Sequence, residues 1–163
     1  MRRALAVVMA LVAAGCGSPG LKADPSKIDM CTILTDQELH GLGVTPDSRR
    51  PVEQPGSVGC AWLGPSFTLG LERDKDTVAS YKTRQRGPAF IAFTENTVNG
   101  RAGVRFAVND GRTACEQLID GGSVSLVVSV ARAAGPGSPA SDSCARALRI
   151  AQLIEPRLPK AGS

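Results

Sequence analysis

Hydrophobic positions along the chain follow two different periods. Over residues 123–131 they alternate: Val124, Leu126, Val128 and Val130 face one way, and Ser123, Ser125 and Ser129 the other. A period of two marks a half-buried strand. The same alternation runs through 66–73, with Phe67, Leu69 and Leu71 inward and Thr68 and Glu72 outward. Val104, Phe106 and Val108 predict another strand, and residues 113–119 a further one with Cys115, Gln117 and Ile119 on one face. Cys60-Ala61-Trp62 opens an extended stretch, and Gly64-Pro65 turns it into the strand that follows. Asn99-Gly100 is a type I′ turn signal, and Asp120-Gly121-Gly122 is a turn. The serine face of 123–131 implies an antiparallel sheet covered on one side.

Helical spacing appears three times. Thr35-Asp36-Gln37-Glu38 forms a capping box, which predicts a short helix over 36–41 ending at Gly41 or Gly43. Asp76 is placed to cap a helix over 77–86, with Val78 and Tyr81 on one side. Lys82, Arg84 and Arg86 lie toward its C-terminal end, where the helix dipole favours cations. Ser141 or Asp142 begins a final helix to about residue 155, with Cys144, Ala147, Leu148, Ala151 and Ile154 on its apolar face. Pro156 stops it. Residues 44–59, with Pro46, Pro51 and Pro55, and residues 133–141 read as loops. Residues 88–110 are less clear, apart from the turn and strand signals already named within them. The order of elements predicts an α+β domain: an antiparallel sheet packed with a short N-terminal helix, a middle helix and a C-terminal helix.

The N-terminus has a different pattern. Arg2 and Arg3 precede eleven apolar residues, 4–14, too few to span a bilayer as a helix. This is the layout of a secretory signal. Ala13-Ala14-Gly15-Cys16 resembles the lipobox of bacterial lipoproteins. That resemblance implies cleavage after residue 15 and a diacylglycerol on the sulfur of Cys16, the membrane partner of the mature chain. Two or more acyl chains anchor a protein stably where one does not. Residues 16–27, rich in Gly, Ser and Pro, read as a flexible tether. Residues 28–159 form the single folded domain, and 160–163 a tail.

Composition narrows the function classes. The 163 residues are 42% hydrophobic and 21% charged, so one ordinary globular domain is expected and a disordered chain is excluded. The formal net charge is +4, and without Arg2 and Arg3 only 17 basic residues face 15 acidic ones. No basic run with interleaved aromatics occurs, so nucleic acid is not an expected partner.

Five cysteines divide into one plus four. With Cys16 assigned to the membrane, Cys31, Cys60, Cys115 and Cys144 remain. No C-x-x-C pair occurs, and His40 is the one histidine, so a zinc site is not expected. In an exported domain the four thiols predict two disulfides. Three pairings are open. Cys31–Cys60 and Cys115–Cys144, each closing a loop of 29 positions, are favoured, and Cys144 on the buried face of its helix can reach the sheet; the equal spacing itself is a coincidence. A loop of that size is worth about 3–4 kcal/mol per bridge in the chain-entropy model.

Four features then occur in order. Cys31 precedes a short capped helix, in Cys31-Thr32-Ile33-Leu34-Thr35-Asp36-Gln37-Glu38-Leu39. Cys60-Ala61-Trp62 leads into an alternating strand. Cys115 opens a late strand pair, and Cys144 begins a C-terminal helix closing on Leu158-Pro159. The set resembles the actinobacterial lipoprotein family DUF3558, whose function is not established. That family commonly has Asp-Pro-Cys at the first cysteine, where this chain has Asp29-Met30-Cys31. The resemblance implies a cell-envelope lipoprotein on the extracytoplasmic face of the membrane and brings no chemistry with it.

A search for chemistry finds no catalytic residues. His40 lacks the nucleophile and orienting acid of a catalytic set, and G-x-S-x-G is absent. Glu72, Asp74, Lys75 and Asp76 read as a solvated loop, not a cation site. Trp62 is expected to pack over the disulfide of Cys60, not to line a ligand pocket. Arg49, Arg50, Arg84, Arg86, Arg101, Arg105 and Arg112 are expected as scattered solubilising side chains, not a patch for anionic headgroups. No cofactor is implied. The expectation is a binding or interaction module for a small ligand or an envelope protein. An envelope hydrolase with an acidic pair, or a passive structural lipoprotein, are the alternatives.

Overall fold

The computed structural model describes residues 24–84, 90–108, 114–132 and 143–159. The signal segment, Cys16, most of the tether, the loop at 133–141, Arg86, Arg112 and the tail lie outside the described residues. The last residues of the expected tether are ordered: Asp24 caps a 3-10 turn over Pro25–Lys27.

Among the described residues, seven strands and three α-helices make the α+β domain. In chain order they are α1 (Asp36–Leu42), β1 (Arg50–Gln54), β2 (Ser57–Leu63), β3 (Phe67–Asp74), α2 (Val78–Arg84), β4 (Ile91–Val98), β5 (Arg101–Val108), β6 (Ala114–Asp120), β7 (Ser125–Arg132) and α3 (Ser143–Ile154). The strands form one sheet in the order β1-β2-β3-β7-β6-β5-β4, antiparallel throughout. Two meanders, β1–β3 and β4–β7, therefore meet where β3 pairs with β7.

Local signals place most of these elements. Thr35 and Glu38 complete the capping box of α1, and Gly43 ends it at φ 90°, a left-handed conformation that glycine adopts without strain. Asn99 (φ 50°) and Gly100 (φ 89°) turn β4 into β5 as a type I′ hairpin requires. The helix α3 stops before Pro156, and a 3-10 turn over Glu155–Arg157 follows.

The core on one side of the sheet joins Leu69, Leu71, Leu126, Val128 and Val130 to Ala147, Ile150, Ala151 and Ile154 of α3 and to Leu39 of α1. Each such large side chain contributes about 1.5–3 kcal/mol when fully buried.

Four expectations are corrected. Residues 44–59 are not all loop, because β1 and the start of β2 form a hairpin there. Its prolines concealed it, yet β1 is an edge strand, the place where a sheet tolerates Pro51. The sheet is covered on both sides: Val127, Leu118, Val104 and Phe106 pack with Val78 of α2 in a second cluster. Ser125, expected to face water, is buried and donates to the carbonyl of Asp76 at 2.6 Å. The cap of α2 is Thr77, whose Oγ1 accepts from Ser80 N at 3.1 Å.

Candidate functional site

The chain enters the domain beside the β1–β2 hairpin. Met30 is buried in the core, and Cys31 is bonded to Cys60 on β2. Asp29 Oδ1 accepts from Cys31 N at 2.8 Å, and Arg73 of β3 donates to the carbonyl of Ile28 at 3.1 Å. The arm is thus joined to the hairpin by a covalent bond and to β3 by one hydrogen bond. Between them lies a groove of about 340 Å³. Ile28, Pro51 and Val58 supply apolar surface, and Lys27, Glu53 and Arg73 supply charge. Val58 is 42% exposed, unusual for a valine on a strand. Trp62 does not line this groove. It is fully buried in the same cluster as Cys60 and Cys31, as expected of a ring packed near a disulfide.

The second disulfide, Cys115–Cys144, joins β6 to α3. Both bridges have the favoured connectivity. At the opposite ends of β5 and α3, Arg101 is no scattered surface residue. Its Nε pairs with Glu155 at 2.9 Å, and its guanidinium donates to the carbonyls of Asp120 at 3.2 Å and Pro159 at 2.8 Å. Arg157 pairs with Glu38 and donates to the carbonyl of Ile33 at 2.6 Å. Hydrogen bonds from Arg157 and then Thr35 hold the Glu38 carboxyl down at about 2. Among the described residues these arginines are spread apart: Arg49 and Arg50 lie at the β1 edge, while Arg101 and Arg105 are on β5, near the other edge.

The other face of the sheet gathers acids. Glu72 and Asp74 belong to β3 and are half-buried, which corrects the solvated loop expected there. The strand runs through Asp74 because β7 pairs with it as far as Ser125. Ser57 Oγ donates to Glu72 at 2.6 Å, and Tyr81 OH donates to Asp74 at 2.7 Å. Glu116 of β6 lies in register with Ser129 of β7 and, beyond it, Gly70 of β3. A Cβ at Gly70 would stand 3.5 Å from Glu72 Oε1, so that carboxylate leans over the small residues between it and Glu116. Burial, then the charges of Glu72 and Asp74, push Glu116 up to about 7. Burial and the Asp74 hydrogen bond also push the Tyr81 phenol well above its ordinary value.

An aromatic group adjoins these acids. Tyr81 stacks on Phe106 with centroids 5.7 Å apart, and Phe90 meets Phe106 edge-on at 4.8 Å. Phe93 joins them from a bulge in β4 where Ala92 adopts φ 52°.

Chemically, a carboxyl group pushed up to about 7 beside two others suits proton exchange. Glu72 is already engaged by Ser57, and Asp74 by Tyr81. His40 lies exposed at the end of α1, remote from this face. Among the described residues no group of three His, Cys, Asp or Glu could hold a metal ion. Sequence reasoning missed Glu116. It sits between Cys115 and Gln117 in an alternating strand, and nothing local reveals that α2 crosses above it.

The family model for a protein of unknown function, DUF3558, matches residues 11–157. The chain belongs to the DUF3558 family. No curated protein and no solved structure matches it. The DUF3558 match spans the whole sheet, all three helices and all four bridged cysteines. No described helix of this DUF3558 protein is long and apolar enough to cross a membrane.

Proposed function

We propose that this chain is an actinobacterial lipoprotein, anchored through Cys16 to the extracytoplasmic face of the cell membrane, that acts as a binding module without catalysis. Its ligand, a small molecule or a protein of the envelope, is taken in the groove beside Cys31–Cys60. The groove carries this reading. It combines apolar surface with a few charged groups, the usual make-up of a recognition site, and its walls are tied before any ligand arrives. Two disulfides also suit an exported protein.

The test places a photo-crosslinking residue at Val58 in the full chain, in membranes of the native host, with Leu153 as the exposed control. A discrete adduct from position 58 and none from 153 supports the groove. Equal labelling, or none at 58, overturns it. The anchor is tested separately: Cys16→Ala is expected to abolish lipid labelling and release the protein, and unchanged membrane retention refutes it.

A further inference from the structure

The groove beside Cys31–Cys60 has an ordered floor. Glu53 of β1 stands opposite Val58 of β2, and Val58 stands opposite Arg73 of β3. Directly opposed residues put their side chains on one face of a sheet. The floor therefore runs from a carboxylate, through an exposed apolar side chain, to a guanidinium. The arm supplies the facing wall, with Ile28 held at its carbonyl by Arg73 at 3.1 Å.

The charges at the two ends are not spent on each other. Among the described residues, neither Glu53 nor Lys27 makes an ion pair. Arg73 gives one N–H to Ile28, and a guanidinium carries five. Asp29, the other acid of the groove, is occupied by Cys31 N at 2.8 Å and Thr32 Oγ1 at 3.2 Å. Asp24 lies within electrostatic reach of Lys27 and Arg73 and accepts from Ser26 N at 2.9 Å. It offsets one of the two cations and leaves the other. A cation and an anion thus face each other across Val58, each without an opposite charge.

Two inter-strand spacings separate Glu53 from Arg73, about 10 Å, and side chains stand roughly upright on a sheet. A charged hydrogen bond takes up about 2.8 Å at each end, which leaves roughly 4 Å between the charges of a bridging ligand. One amino-acid residue spans about 3.5 Å, and two span about 7 Å. On the reading that this groove is the recognition site, we infer that it takes a free α-amino acid with an apolar side chain. The ammonium meets Glu53, the carboxylate meets Arg73 with Lys27 beside it, and the side chain rests on Val58. A ligand with a single charge satisfies one end and leaves the opposite charge unpaired as water is displaced.

Nuclear magnetic resonance titration of the isotope-labelled full chain in detergent micelles tests the ligand class. L-Leucine is the probe. It is expected to shift the amides of Val58, Gly59 and Arg73 saturably and to leave that of Leu153 unmoved. N-acetyl-leucine, which lacks the ammonium, leucinamide, which lacks the carboxylate, and the longer dipeptide Leu-Leu are each expected to bind at least about threefold more weakly. Glu53→Gln is expected to weaken L-leucine by the same factor and to leave N-acetyl-leucine unchanged. Glu53 is exposed on an edge strand, so that variant is expected to fold. Blocked probes or Leu-Leu that bind as tightly as L-leucine overturn the proposal, as does a Glu53→Gln protein that binds L-leucine normally or weakens both probes equally. No shift with L-leucine overturns the ligand class alone if the crosslinker at Val58 still gives its adduct. Without that adduct the groove itself fails as the site.

Discussion

Arg101 offers the most direct test of what holds the C-terminal end to the sheet. Its side chain is 9% exposed and that of Glu155 16%. Removing the guanidinium strands the Glu155 carboxylate and leaves the carbonyls of Asp120 and Pro159 without this donor. Asn99 Nδ2, at 3.5 Å from Glu155 Oε2, is too distant to replace it. Breaking a buried pair by deleting one partner costs about 3–5 kcal/mol. The partial exposure of Glu155 admits some water, so about 3 kcal/mol is expected for Arg101→Ala. That corresponds to a fall in Tm on the order of 10 °C for a domain of this size. Urea unfolding followed by Trp62 fluorescence measures it, since Trp62 is the one tryptophan and is fully buried. The double variant Arg101→Met with Glu155→Leu is expected to recover much of the loss, because no charge is then stranded. A loss under about 1 kcal/mol for Arg101→Ala, or a double variant no better than the single one, refutes the reasoning.

Glu116 predicts a stability that depends on pH. Its folded-state value, about 7, lies above its ordinary 4.5, so its contribution is fully present below 4.5 and is lost as pH rises through 7. The loss is about 2 kcal/mol once its partial exposure is allowed for, and Glu116→Gln is expected to flatten the profile in urea titrations at several pH values. A wild-type profile with no slope between those values contradicts it. Replacing Cys115 and Cys144 together with serine is expected to cost about 2–5 kcal/mol. Differential scanning calorimetry reads that loss, and an unchanged Tm would show that the bridge adds nothing to the fold.

Much of the fold is written in local pattern. The capping box of α1 forms because Thr35 and Glu38 are three residues apart and reach each other's backbone. The Asn99-Gly100 hairpin forms because those residues accept positive φ. Cys144 lies on the apolar face of α3, so it meets β6 and finds Cys115. The candidate sites were much less legible. Val58 and Arg73 belong to strands that have other neighbours in sequence, and they line a groove only because the arm at residues 27–31 crosses them. Glu116 resembles any outward acid until α2 is placed over it.

By itself, the sequence determined the α+β class, five of the seven strands, the three helices and the preferred pairing of the cysteines. Those follow from backbone periodicity, caps and turn chemistry, which act within a few residues. Only the tertiary structure decided that β1 is an edge strand, that the sheet is buried on both faces, and that Glu72, Asp74 and Glu116 share one face. Those depend on which distant segments pack together. An alternating strand shows which side chains point the same way, but only the element packed against that face decides whether water reaches them.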